Sequence, residues 1–90
     1  MMDLVARIPR LPARGESLFG RSFQTFVGGK GGNQGLAAAR LGAHAAIIGR
    51  VGADAFGDTI THTLTAGGVD CTHISRDAAI GTGVAIPLVF

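Results

Sequence analysis

A short run of four glycines around one lysine, Gly28-Gly29-Lys30-Gly31-Gly32, constrains the fold of this chain more than any other segment. Glycine continues neither a strand nor a helix well, because it loses more conformational freedom on folding than other residues do. Strand-like residues 16–27 precede the run, and strong helix formers at residues 33–41 follow it. The sequence therefore predicts a strand, a glycine loop (residues 28–32) and a helix N-terminus, in that order.

The predicted position of the glycine loop favours an oxygen-bearing ligand, because backbone N–H groups are free at a helix N-terminus and the helix dipole is positive there. Lys30 adds three donors, and Asn33 offers both a donor and an acceptor. The loop matches neither common nucleotide motif, since Gly31 follows Lys30 and Gln34 takes the place of the last glycine of GxGxxG. We interpret it as a ligand-binding loop, with a purely structural turn as the alternative.

Elsewhere the hydropathy pattern alternates helices with apolar strands, which is typical of an α/β sheet. The first two strands read as a hairpin that forms a flap separate from this sheet. Pro87 is expected to place the last strand at an edge or to distort it. The predicted strands lie at residues 4–8, 16–27, 45–48, 73–75 and 84–90.

Both predicted helices have start and stop signals. Asn33 is the predicted N-cap of the first helix and Asp54 that of the second. Gly42 and the pair Gly67-Gly68 stand where the two helices are expected to end. The apolar face of the second helix, with a spacing of four residues, consists of Phe56, Ile60 and Leu64.

Composition excludes several classes of protein. Only 16% of the residues are charged and the mean hydropathy is +0.38, which is too apolar for a disordered tail. No uncharged run is long enough to cross a bilayer, and the first ten residues lack the pattern of a signal peptide. The net charge of +2 comes from scattered arginines, so neither a nucleic acid nor a membrane is an expected partner. Because Cys71 is the only cysteine, we expect a reducing compartment, the cytoplasm.

The remaining titratable residues carry little chemistry on their own. Asp3 by itself reads as a solvated carboxylate, and Asp58 as a residue on an exposed helix face. Cys71 and the three histidines, His44, His62 and His73, lack the spacing of a metal site. None of the residues in this chain is assigned a catalytic role.

Taken together, the motifs resemble the ribokinase branch of the PfkB family of carbohydrate kinases. The Gly-Gly-Lys-Gly-x-Asn-Gln block is the most specific of them, and Thr82-Gly83-Val84-Ala85 also fits. Two residues depart from the family pattern: Gly35 stands where Ala, Ser or Thr is expected, and Arg14 stands where Pro is usual. The other matching stretches are Arg10-Leu11-Pro12, Gly15-Glu16-Ser17-Leu18-Phe19-Gly20, Ala38-Ala39-Arg40-Leu41-Gly42-Ala43 and Ile48-Gly49-Arg50-Val51-Gly52-Ala53-Asp54-Ala55-Phe56-Gly57.

This resemblance implies a ribokinase-like three-layer α/β/α sheet with a small β lid, of which part is present. Residues 1–27 would hold the lid strands, which also clasp a second subunit in a homodimer, and residues 28–90 would begin the α/β body. Gly28 and Gly29 would be the hinge of the lid. The residues implied to bind the sugar are Asp3, Gly29, Lys30, Gly31, Gly32 and Asn33.

The activity implied is phosphorylation of D-ribose at O5, or of a similar pentose, with ATP and Mg2+. In the family a later Gly-Ala-Gly-Asp region supplies the catalytic base and the ATP site, and these 90 residues do not contain that sequence. We therefore expect an N-terminal, sugar-binding part of a kinase that is inactive alone. The alternatives are a non-catalytic sugar-binding or dimerisation module, another PfkB sugar or nucleoside kinase, or an unfolded remnant.

Overall fold

The computed structural model describes residues 1–89. Helices and strands alternate after an initial pair of strands, in the order that the sequence predicts. The elements are β1 (Met2–Arg7), β2 (Ser22–Val27), α1 (Lys30–Arg40), β3 (Gly49–Gly52), α2 (Ala55–Ala66), β4 (Ile74–Asp77), β5 (Val84–Ala85) and β6 (Leu88–Val89).

Strands β1 and β2 form the predicted antiparallel pair, with Met2 opposite Val27 and Arg7 opposite Ser22. Side chains alternate between the two faces of such a pair. One face carries Met2, which is buried, and Leu4, which packs against the core. Only the second half of the strand predicted at 16–27 is extended, since residues 8–21 form a long connection.

A bidentate ion pair organises this connection. The two terminal nitrogens of the Arg10 guanidinium, Nη1 and Nη2, each lie 2.6 Å from one oxygen of Glu16, which also accepts a hydrogen bond of 2.8 Å from the backbone N–H of Ala13. The Arg10 side chain is the main reason why the pKa of Glu16 falls to about 2. Phe19 in the same connection is 98% exposed.

On its other edge β1 pairs in parallel with β5 and then with β6. The strand predicted at 84–90 is therefore interrupted at Pro87, which lacks an N–H group but accepts a hydrogen bond of 3.1 Å from the Ala6 N–H. Phe90, the last residue of that predicted strand, lies outside the described residues. Strands β1 and β2 lie in a different sheet from β3 and β4, as expected of a flap, but β1 also pairs with β5 and β6, which the sequence did not predict to join it.

A second, parallel pair consists of β3 and β4, joined by α2. The buried strand predicted at 45–48 is wrong: Ile48 is 86% exposed, and this segment contributes only an isolated bridge between Ala46 and Asp70. The ladder begins four residues later than the apolar run suggests, because β4 itself starts at Ile74, and Ile74 lies opposite Gly49.

Helix α2 confirms its sequence signals. Asp54 is the N-cap and accepts a hydrogen bond of 2.8 Å from the Gly57 N–H. Gly68 ends the helical segment with a φ of +92°, a conformation that favours glycine. The predicted face packs inward, since Ile60 and Leu64 are buried and Phe56 lies against the same core. Within residues 1–89, no helix is long and apolar enough to cross a membrane.

Candidate functional site

The glycine loop forms the first turn of helix α1. The helix begins at Lys30 with Gly29 as its N-cap, at a φ of +94°. The predicted cap, Asn33, is wrong: it lies inside the helix, and its backbone N–H donates to the Gly29 carbonyl at 3.1 Å. Gly29 starts the helix without a cap side chain because its φ is accessible to glycine. The helix thus begins earlier than the helix formers suggest, and the N–H groups of Lys30, Gly31 and Gly32 are those without intrahelical partners.

Lys30 and Asn33 lie one turn apart on α1, so their side chains occupy the same side of the helix. Both residues are exposed. With the first-turn N–H groups they form a set of donors with one amide acceptor, and no acidic residue lies in this turn. Such a set suits a ligand rich in oxygen atoms.

The hairpin places Asp3 beside the start of the glycine loop, although Gly28 is 25 positions further along the chain. Gly28 is buried, and its N–H donates to the Met1 carbonyl at 2.9 Å, which continues the β1–β2 ladder. A Cβ atom built on Gly28 would lie within 2.5 Å of the Asp3 carboxyl carbon. Only glycine therefore leaves room for the carboxylate at this position.

Asp3 differs from the other acidic residues in its hydrogen bonds. The chain has six acidic side chains. Of these, Asp3 is the one that accepts no hydrogen bond from any part of residues 1–89. The other five, each accepting at least one, are Glu16, Asp54, Asp58, Asp70 and Asp77. Asp3 is half-buried, and its carboxylate oxygens stay accessible to solvent, so their free lone pairs are open to a ligand that donates hydrogen bonds.

A second carboxylate beside glycine residues, Asp54, is fully engaged within the chain. It accepts hydrogen bonds from the Thr82 hydroxyl at 2.6 Å and from the N–H groups of Thr82 and Gly57, both at 2.8 Å. The Thr82 hydroxyl is the largest cause of a lowered Asp54 pKa. Thr82 also accepts from the Gly52 N–H at 2.9 Å, so it joins the ends of β3 and α2 to the segment before β5. The sequence identified Asp54 as a cap but gave no sign of its bonds to Thr82.

A cleft of about 180 Å³ lies under the glycine loop. The loop contributes Gly28, Gly29, Gly31 and Gly32, and the opposite walls are mostly apolar, from Ile47, Val51, Ile60, Leu64 and Ile74. The side chains of Asp3, Lys30 and Asn33 do not line it. Because each sugar hydroxyl needs a hydrogen-bond partner when buried, we place the candidate polar site at these three side chains and not in the cleft.

The structure thus brings the predicted residues together only in part. Gly29 to Asn33 form one continuous helix start, and Asp3 reaches it through Gly28. Among the described residues no three His, Cys, Asp or Glu side chains are grouped for a metal ion.

Comparison with known proteins identifies a family that this chain matches. The model of the pfkB family of carbohydrate kinases matches residues 1–89. The ribokinase of Bacillus subtilis is 52% identical over 84 residues, which cover 93% of this chain and 29% of the relative. The mouse ribokinase is 46% identical over 88 residues, covering 96% of this chain and 27% of the relative. The chain thus spans less than a third of the length of these relatives.

Among solved structures, the Arabidopsis thaliana ribokinase in complex with ribose and ATP superposes with a TM-score of 0.88 at 34% identity. The match covers 97% of this chain and 28% of that one. This likeness confirms the α/β fold that the sequence resemblance implies.

Proposed function

The chain belongs to the pfkB family of carbohydrate kinases, and from that premise we propose that residues 1–89 form the sugar-binding part of an ATP-dependent kinase of ribose or a similar pentose. The observation that carries the proposal is the Asp3 carboxylate, half-buried beside Gly28 and without a hydrogen-bond donor among the described residues. The ribose and ATP held by the Arabidopsis relative support the choice of substrate and phosphate donor.

A pentose needs several fixed donors and acceptors, because each of its hydroxyls both donates and accepts. In the proposed complex Asp3 accepts from sugar hydroxyls, while Lys30 and the first-turn N–H groups of α1 donate to them. Asn33 does both. The side chains stand on β1 and α1, and the rigid backbone of these elements fixes the orientation of the sugar before the reaction.

Gly28 and Gly29 are the proposed hinge between a lid, residues 1–27, and the body, residues 28–90. Gly29 already has a positive φ, and glycine tolerates the backbone rotation that a hinge requires. Closure of the lid would exclude water from the sugar. Because β1 also pairs with β5 and β6, we expect the motion to be largest in β2 and the connection of residues 8–21.

Phosphoryl transfer itself is proposed to need residues beyond those described. In the proposed reaction ATP would supply the phosphoryl group and Mg2+ would neutralise its charge, and the family's Gly-Ala-Gly-Asp region is the implied source of the base. These 90 residues lack that sequence, and residues 1–89 offer no metal cluster. We therefore propose that this chain alone binds the sugar without phosphorylating it.

A homodimer through the lid strands is the proposed assembly. Strand β2 is at the edge of its sheet, so its open backbone groups are available to pair with a second copy. This surface also favours the second candidate function, a dimerisation module, which sedimentation of the chain with and without D-ribose distinguishes from a sugar-binding one. The cytoplasmic location and the lack of nucleic-acid or membrane partners stay predictions from the sequence.

Titration of the 15N-labelled chain with D-ribose, followed by NMR, tests the proposed function. We expect saturable shifts of the amide signals of Gly28 to Asn33. Asn33→Ala should weaken binding by about 1–3 kcal/mol, the cost of leaving a hydrogen-bonding partner unpaired. The neighbouring Gln34→Ala is the matched control and should bind as the original chain does. Amide signals that do not respond to D-ribose would contradict the proposal.

A further inference from the structure

The β1–β2 register places an aromatic residue directly across from Asp3. Asp3 pairs with Phe26, and directly opposed residues of an antiparallel pair project from the same face, with Cβ atoms roughly 4.5–5.5 Å apart. Gly28, two residues beyond Phe26, is on that face too, where it contacts the Asp3 carboxylate. One face of the hairpin thus carries Phe26, Asp3 and the start of the glycine loop side by side.

This face is not the one that builds the core. Met2, Leu4 and Val27 alternate with Asp3 and Phe26 and point to the opposite face, where Met2 is buried and the other two pack against the core. Phe26 is 51% exposed beside a carboxylate that has no hydrogen-bond donor among residues 1–89. The core therefore does not account for an aromatic ring at this position.

We propose that Phe26 is a substrate-positioning residue whose ring stacks on the apolar C–H face of the pentose that Asp3 holds by its hydroxyls. A furanose or pyranose ring has both a hydroxyl-rich edge and a C–H face, and small-molecule sites combine a few placed polar groups with aromatic walls. Asp3 and the α1 N-terminus supply the polar groups, and Phe26 is the aromatic side chain in register with them. The inference rests on the proposed sugar-binding function and adds a specificity contact to it.

A second phenylalanine on the same strand provides a matched control. Phe23 is similarly exposed, at 63%, but it pairs with Ala6 and therefore lies on the face of Met2, away from Asp3. If exposed aromatic surface on β2 merely stabilised the hairpin, the two residues would be equivalent. If Phe26 stacks on a sugar, only Phe26 affects binding.

The experiment is NMR titration of the full 90-residue chain with D-ribose, for the original sequence and for Phe26→Leu, Phe26→Trp and Phe23→Leu. Leucine keeps apolar bulk but lacks the aromatic face, and tryptophan restores one. Phe26→Leu should weaken ribose binding about fivefold, the scale of an aromatic contact, while Phe23→Leu should stay within about twofold. Phe26→Trp should bind at least as well as Phe26. Ring-current shifts of the ribose C–H protons should occur with Phe26 and vanish with Phe26→Leu.

Three results would overturn the inference. The first is a Phe26→Leu variant that binds ribose with the original affinity, and the second is a Phe23→Leu variant whose binding is weakened as much as that of Phe26→Leu. In either case the original chain still binds ribose, so the proposed function survives. If the original chain does not bind ribose, the proposed function fails and the inference fails with it. Amide spectra of each variant show whether it is folded.

Discussion

Two carboxylates of this chain lie against glycine residues, and they differ in what satisfies them. Asp54 lies beside Gly52 and Gly57 and accepts three hydrogen bonds from its own chain. Asp3 lies beside Gly28 and accepts none from the described residues. The same residue types thus serve packing in one region and leave an open acceptor in the other. A glycine next to an aspartate is therefore not itself a sign of a binding site. What distinguishes the two regions is whether the carboxylate is already hydrogen-bonded within the chain.

The glycines of the Asp54 region and those in the first turn of α1 differ in the space around them. A Cβ atom on Gly57 would overlap the carbonyl oxygen of Gly52, and one on Gly52 would lie 2.8 Å from the carbonyl carbon of Gly81. In the glycine loop, a Cβ atom on Gly31 would meet nothing within 4 Å, and one on Gly32 only the far end of Leu64. The Asp54 region is closed by its own backbone, whereas Gly31 and Gly32 have open space in front of them; at Gly28 of the same loop a side chain, the Asp3 carboxylate, fills the space.

The largest expected effect on stability comes from disrupting the closed packing around Asp54. Gly57→Ala should lower the free energy of unfolding by about 3 kcal/mol, because the obstacle is backbone that cannot move aside. Gly31→Ala is the matched control and should leave stability unchanged or raise it by up to about 1 kcal/mol, since the position is open and helical. Urea unfolding followed by circular dichroism measures both. Equal destabilisation of the two variants would break the contrast between the two regions.

Removal of the hydroxyl that joins the segments should have the next largest effect. Thr82→Val keeps the shape of the side chain but deletes a donor to Asp54 and an acceptor for Gly52, so stability should fall by about 1–3 kcal/mol. The matched control is Thr59→Val, since the exposed Thr59 hydroxyl donates only to the Ala55 carbonyl within α2. The same unfolding assay applies. A Thr82 variant as stable as the Thr59 variant would show that the Asp54 network does not hold the fold.

A smaller effect is expected in the dependence of stability on pH. The Asp54 pKa is lowered in the folded chain, chiefly by the Thr82 hydroxyl. The stabilisation from Asp54 is therefore present above its unfolded pKa of about 3.9 and is lost as pH falls through the lower folded value. Asp54→Asn should flatten part of the fall in stability between pH 5 and pH 2. An unchanged slope would mean that Asp54 gains nothing from its partners.

The sequence predicted those parts of the fold whose signals are local. Helix α2 follows from Asp54 and from the spacing of Ile60 and Leu64, which need no knowledge of the rest of the chain. The strand at 45–48 was wrong because the start of a parallel ladder depends on its partner, β4. The break at Pro87 was expected only as a distortion, since the two-part pairing with β1 is a tertiary feature.

The candidate site likewise has one part that local sequence signals predict and another part that depends on tertiary structure. The glycine loop was found from the residues alone, although the helix starts at Lys30 rather than after Asn33 because Gly29 adopts a positive φ. The residues around Asp3 indicate only a solvated carboxylate, and it is the family resemblance that predicts a sugar-binding role for this side chain. Its contact with Gly28 depends on a strand register that composition does not encode, and the same register reveals Phe26.

The most direct test compares Asp3→Asn with Asp54→Asn in two assays, urea unfolding and titration with D-ribose. Both changes keep the shape of the side chain and remove its charge. Asp3→Asn should leave the free energy of unfolding within about 0.5 kcal/mol while weakening ribose binding by about tenfold or more, because the lost acceptor serves a ligand. Asp54→Asn should do the reverse, with lower stability and, in the folded fraction, unchanged affinity. An Asp3→Asn chain that binds ribose as tightly as the original would contradict the account.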